Sequence, residues 1–174
     1  MTQNNEKIYD GNKSYRFSLG VKREKTIYCM GVNPSIATDK ICDDTINRVK
    51  KIAEANGFNG WVMLNIYPQV ATNPDDLHRY NERQENKHKE NLKKIIEIIP
   101  NGATVWLAFG SYIKKRSYLR DYFKEICNGI NNKKLKYVSL FPLNKGGIPP
   151  HPLAHKTFNE KLERFDLSGF LRKI

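Results

Sequence analysis

Five apolar runs of strand length punctuate the chain, and the stretches between them carry helical spacing. Tyr15 to Val21 and Thr26 to Val32 read as two strands joined by the polar turn Lys22-Arg23-Glu24-Lys25. The second, TIYCMGV, is almost continuously apolar, as expected of a strand covered on both faces. After the irregular stretch GVNPSIATDKIC, the residues Ile46, Val49, Ile52 and Ala53 recur at helical spacing, with Asp43 or Asp44 placed to cap the helix. WVMLNI is the next buried strand, and a helix with the inner stripe Leu92, Ile95, Ile96 and Ile99 follows a Pro- and Thr-containing loop. Ala103 to Phe109 makes a further strand. Leu119, Tyr122, Phe123 and Ile126 mark one helix face, and Leu135 to Leu140 gives the last strand. Residues 1 to 12 read as frayed, and a final amphipathic helix is expected to hold Phe158, Leu162 and Phe165.

Alternation of strand and helix predicts an α/β three-layer sandwich around a central, mainly parallel four-stranded sheet, with one N-terminal antiparallel strand. No linker, repeat or low-complexity tract divides the 174 residues, so a single domain is expected. In open parallel sheets, ligands bind beyond the carboxyl ends of the strands. The unusual residues of this chain fall at those ends.

Composition changes the picture in one respect. The 30 Lys and Arg against 18 Asp and Glu give a formal charge of +12, which permits a polyanionic partner such as DNA and equally describes a solvated cationic surface. The polar N-terminus lacks a signal-peptide core and no apolar run approaches a membrane span, so a cytoplasmic protein without membrane contact is expected, with a monomer favoured. Cys29, Cys42 and Cys127 match no zinc spacing and read as reduced structural residues; neither a metal nor a cofactor is expected. The P-loop, G-x-G-x-x-G, H-E-x-x-H and G-x-S-x-G patterns are missing, which counts against Walker-loop nucleotide hydrolysis, Rossmann redox chemistry, zinc proteolysis and serine hydrolysis.

Four strand ends carry candidate chemistry. In Gly31-Val32-Asn33-Pro34-Ser35, glycine permits close backbone approach and Pro34 fixes the chain just past Asn33, so that its amide can be aimed at a water. In Asp43-Asp44-Thr45-Ile46-Asn47-Arg48, carboxylates suit a helix start; Asp39, Asp43 or Asp44 can also serve as a general base, and the residues do not rank them. Asn65 ends an apolar strand, where a buried amide must find partners, and its donor and acceptor match a nucleobase edge; Tyr67 nearby can stack on a base or pack. Three prolines around His151, in Pro149-Pro150-His151-Pro152-Leu153, make a stiff mount for an imidazole. His78, His88 and His155 have no such setting.

The order GVNPS, Asp43-Asp44-Thr45 with Arg48, LN followed by Ala71-Thr72-Asn73-Pro74, WLAFG and the closing HPL resembles an uncharacterised bacterial and phage family, the domain-of-unknown-function 1643 family, from about Tyr15 to Leu153. The same order is similar, more distantly, to the uracil-DNA glycosylase superfamily. That second resemblance implies a glycosylase-like fold and a hydrolase releasing a damaged or modified base from DNA. In it Asn33 positions the attacking water, aided by Asp44 or Asp39, and Asn65 reads the base edge. His151 stabilises the departing base, and Leu153 lies near the side chain that wedges into the duplex. Gly31, Pro34, Ser35, Asn65, Tyr67, Phe109 and Leu153 are then the substrate-binding residues, and Asn33, His151 and Asp44 the catalytic ones. Lys114, Lys115, Arg116, Arg120, Lys133, Lys134, Lys136 and Lys145 are candidates to grip phosphates. Residues after Pro34 lack the aromatic-His ending of the uracil-specific group, which leaves the base unassigned, and no Ser follows His151-Pro152, which weakens the minor-groove contact the resemblance implies. A non-catalytic nucleic-acid-binding module and a hydrolase or transferase of free nucleosides or nucleotides are the rival classes.

Overall fold

A computed structural model describes residues 6–154 and 160–174. Its frame is one mixed sheet of seven strands: β1 (Glu6–Gly11), β2 (Arg16–Lys22), β3 (Thr26–Gly31), β4 (Gly60–Asn65), β5 (Thr104–Leu107), β6 (Lys136–Ser139) and β7 (Glu163–Arg164), in the order β1-β2-β4-β3-β5-β6-β7. The four strands β4, β3, β5 and β6 run parallel in a row; β2 pairs antiparallel with both β4 and the edge strand β1, and β7 pairs antiparallel with β6 at the other edge. The sheet is therefore larger and more mixed than four strands plus one.

Helices α1 (Asp44–Ala55), α2 (Glu85–Ile98), α3 (Ser117–Gly129) and α4 (Leu167–Leu171) complete the fold. Side chains alternate across a strand, so each central strand feeds two cores. Ile27 and Cys29 of β3, Met63 of β4 and Trp106 of β5 pack with Ile46, Val49 and Ile52 of α1. Tyr28, Met30, Leu64, Val105 and Leu107 face the other way, against Ile95 of α2 and Leu119, Phe123 and Ile126 of α3. α1 on one face and α2 with α3 on the other make three layers. No helix among the described residues is long and apolar enough to cross a membrane.

Two local expectations are corrected. Residues 6–11 of the segment read as frayed pair with β2 as an edge strand; their half-exposed, polar pattern hides the strand because an edge needs backbone partners on one side only. The expected final helix does not form around Leu162 and Phe165: Glu163 and Arg164 pair with β6, and the helix begins later, capped where the Asp166 carboxylate accepts from the Gly169 N–H. Phe158, assigned to that helix, lies outside the described residues, as does His155. The short turn expected between β2 and β3 is present, and the two strands do not pair, because β4 inserts between them.

Candidate functional site

The carboxyl ends of β3, β4 and β5 release the chain segments that carry most of the candidate residues. β3 continues into 32–43. Its pairing with the β4 side extends past the strand, since the Ile66 N–H donates to the Gly31 carbonyl and the Tyr67 N–H to the Val32 carbonyl, both at 2.9 Å. Asn33 Nδ2 then donates to the Ala71 carbonyl at 2.8 Å and to the Pro34 carbonyl at 3.0 Å, and the Ala71 N–H returns a bond to the Pro34 carbonyl at 2.9 Å. Two loops 38 positions apart in the chain are thus laced together by one amide. With its N–H groups committed, Asn33 has Oδ1 left as an acceptor.

Asp43 caps α1, its carboxylate accepting from the Ile46 N–H at 2.8 Å, and Asp44 opens the first turn. The sequence left both open as the cap; the cap is Asp43, and Asp44 is an exposed carboxylate at the helix start.

His151 arrives from the loop after β6. Pro149, Pro150 and Pro152 are buried, and the Gly110 N–H holds the Pro149 carbonyl at 3.0 Å. Gly110 has φ +61°, and a Cβ there would stand 3.0 Å from His151 Cβ, so glycine is required on both counts. Replacing Gly110 with Ala is expected to cost about 1–2 kcal/mol from the left-handed backbone alone, read as a lower denaturation midpoint. A midpoint equal to wild type would show that the loop relaxes around the new methyl.

The Leu153 N–H donates to His151 Nδ1 at 3.2 Å. That bond needs a lone pair on Nδ1 and so puts the proton on Nε2. Burial pushes the imidazole pKa down to about 4, opposed by the Asp43 carboxylate. Near neutral pH His151 is therefore an uncharged donor.

Asn33, Asp44 and His151 line one cavity of about 380 Å³, together with Gly31, Ser35, Phe109 and Leu153. Pro34 is buried beside it without lining it, and Asp39 is an exposed residue of the same loop that also stays out of the lining. Asn65 lies one layer back. It pairs in register with Gly31, and a Cβ on Gly31 would meet Asn65 Oδ1 at 3.0 Å. The Asn65 carboxamide is fully buried, and neither its oxygen nor its nitrogen has a partner among the described residues. Leaving such a group unpaired is costly, and a ligand or water is the usual remedy.

Tyr67 is corrected. It is fully buried in the α2–α3 core, its hydroxyl bonded to His78 Nδ1 at 2.7 Å and accepting from the Gln84 N–H at 2.9 Å, and it does not reach the cavity. Phe109 does line the cavity, but its ring also packs against Phe123 and Phe170 at centroid distances of 5.0 and 5.9 Å, so it serves as floor.

Sequence reasoning missed Arg16. Only 3% exposed, it lines the same cavity, with Nη1 donating to the Ala37 carbonyl at 2.7 Å. Burial lowers its pKa to about 10, partly offset by Asp43, so it remains a cation. Its one legible signal was an arginine opening an apolar strand. Ile36, Tyr112 and Leu153, all exposed apolar residues, surround the cavity mouth.

The cations chosen from sequence divide. Lys115 pairs with Asp75, Arg116 is held by the carbonyls of Asp75, Leu77 and His78, and Lys133 is held by those of Ile96 and Ile99. Lys133, Lys134 and Lys136 precede or open β6 and sit at the amino end of the parallel strands, away from the cavity. Lys114 ends a short 3-10 helix and Lys145 belongs to a loop, both at the carboxyl end, and Arg120 lies in the first turn of α3. Buried Cys29 and Cys127 have thiol pKa values pushed up by burial, consistent with inert packing. No group of three or more His, Cys, Asp or Glu side chains suited to a metal occurs among the described residues.

A family model described as a protein of unknown function (DUF1643) matches residues 16–153. The chain belongs to this family. The matched span starts at Arg16 and ends at Leu153, so it takes in every cavity residue named above. No curated protein and no solved structure matches the chain.

Proposed function

We propose that this protein is a DNA glycosylase-like hydrolase that releases a damaged or modified nucleobase, on a site and fold of uracil-DNA-glycosylase type. The observation that carries the reading is the meeting of Asn33 and Asp44, from the β3–α1 connection and the helix start it leads to, with a neutral His151, from the distant loop after β6, around one cavity.

In this reading a flipped nucleotide enters past Ile36 and Leu153, and the base lies toward Gly31, where the unpaired Asn65 amide can read its edge. The bond between the sugar's anomeric carbon and the base nitrogen breaks, and its electron pair leaves on the base. His151 Nε2–H donates to that developing anion, in a position where charge stabilisation is worth a few kcal/mol. The Asp43 and Asp44 carboxylates face the positive charge that grows on the sugar. Water, held by Asn33 Oδ1, supplies its oxygen to the anomeric carbon, its proton passes to Asp44, and the base is protonated on release.

The test is incubation with oligonucleotides bearing uracil, mismatched thymine, hypoxanthine or hypermodified pyrimidines, followed by alkali and a strand-break readout. One substrate yielding abasic product is expected. Salt-sensitive DNA binding with no abasic product from any of them would instead identify a non-catalytic module. A hydrolase of free nucleosides or nucleotides is the second reading, favoured because three of the eight surface cations chosen for DNA are engaged by the protein's own groups and others sit away from the cavity.

A further inference from the structure

We infer that Arg16 is the seat of a nucleotide phosphate, placed where the base-binding cavity opens into a second groove that carries the phosphate-bearing chain. The inference rests on the nucleobase reading above and deepens it by naming what the substrate must bear beside its base.

Arg16 lines two cavities at once. One is the site cavity; the other, of about 440 Å³, runs between the β1–β2 turn and the loop after β3, with Tyr9, Asn12, Lys13, Ser35 and Thr38 in its walls. Ser35 and Ile36 also belong to both, so the two spaces meet along one ridge. The guanidinium is buried, yet one bond to the Ala37 carbonyl is its only hydrogen bond among the described residues, and Nε has no partner there. A buried cation with an uncommitted donor is expensive unless a counter-charge completes it. Asp43 acts on it electrostatically without coming within ion-pair distance.

The guanidinium fork suits a phosphate, which it can bind through two parallel N–H donors. Lys13 is exposed in the second groove and adds a cation one step further out, while Tyr9, 37% exposed, offers a ring face for a neighbouring base. The acids lie on the sugar side, at the start of α1. Charge is thus sorted along the path: base against His151 and Asn65, sugar against carboxylates, the nucleotide's own phosphate against Arg16, and the next phosphate of a strand against Lys13.

The experiment measures binding and not turnover. Wild-type protein is titrated with deoxyribose, with deoxyribose 5-phosphate, and with a single-stranded 11-mer carrying a central tetrahydrofuran abasic site. Deoxyribose 5-phosphate is expected to bind at least about tenfold tighter than deoxyribose, the scale of one charge-assisted pair, and R16Q is expected to erase that preference. K13A, at an exposed position, should leave deoxyribose 5-phosphate unchanged but weaken the 11-mer and lower its log–log salt slope by about 0.7, one phosphate's worth on a single strand. Equal affinity for the sugar with and without phosphate overturns the seat even if R16Q fails to fold, and so does a folded R16Q that keeps the preference. An unchanged 11-mer slope in K13A overturns the groove. A protein that shows the phosphate preference but releases no base keeps the seat and loses the excision reading.

Discussion

Replacing Asn33 with Ala is expected to lower the proposed base release by about 10²–10³-fold, the scale of removing one positioned polar group from a transition state, while DNA binding should survive. In the proposed reaction the carbonyl oxygen is the working end of this side chain. Nδ2 is spent on the Ala71 and Pro34 carbonyls, so the amide cannot rotate to offer its N–H groups to a substrate, and Oδ1 is presented in a fixed direction. An acceptor that is rigid and uncharged can hold water without repelling the anionic base. The same bonds also hold two loops together, so the variant loses about 1 kcal/mol of stability as well. Rate and melting midpoint must therefore be read together. A variant that is folded and excises at the wild-type rate removes Asn33 from the reaction.

The second large effect belongs to His151. His151→Gln is expected to slow release by about 10²–10³-fold through loss of an aimed donor, with little change in affinity for an abasic oligonucleotide. Because the folded pKa is about 4, the imidazole stays neutral from pH 5 to 8, and the wild-type rate should show no inflection near 6.5 from this group. Stability should respond differently. The folded value lies below the ordinary 6.5 of an unfolded histidine, so between those limits the unfolded chain binds a proton that the folded chain refuses. The contribution is fully present above pH 6.5 and is lost as pH falls toward 4. Denaturation midpoints at pH 7 and pH 5 are expected to differ more for wild type than for His151→Gln. Parallel pH dependence in the two proteins would mean that His151 is not held neutral by its burial.

Much of this architecture was legible from residues alone, for a physical reason. β3, β4 and β5 are sealed by helices on both faces, so almost every side chain is apolar and the strands announce themselves. A helix cap at Asp43 or Asp44 is likewise local: it is dictated by a backbone N–H a few positions away. Stiff prolines around His151 are local too, and they fall after a parallel strand, where such sheets place their ligands.

The sheet's order was not local. That β4 separates β2 from β3 is a matter of which apolar faces meet, and no residue pair near the turn records it. The edge strand β1 was hidden because its stability comes from backbone pairing with β2, while its own side chains remain half in water. Tyr67 and Arg16 show the same principle in opposite directions. An aromatic beside a candidate loop turned inward because His78 and the Gln84 N–H could satisfy its hydroxyl there. An arginine with the look of a surface charge was carried into the cavity because β2 begins beside the loop that follows β3, where the Ala37 carbonyl accepts from it. Sequence by itself determined which segments would be strands, caps and rigid loops, since those depend on neighbours along the chain. Only the tertiary structure decided which polar groups share a cavity, since that depends on partners brought together by packing from far apart in the chain.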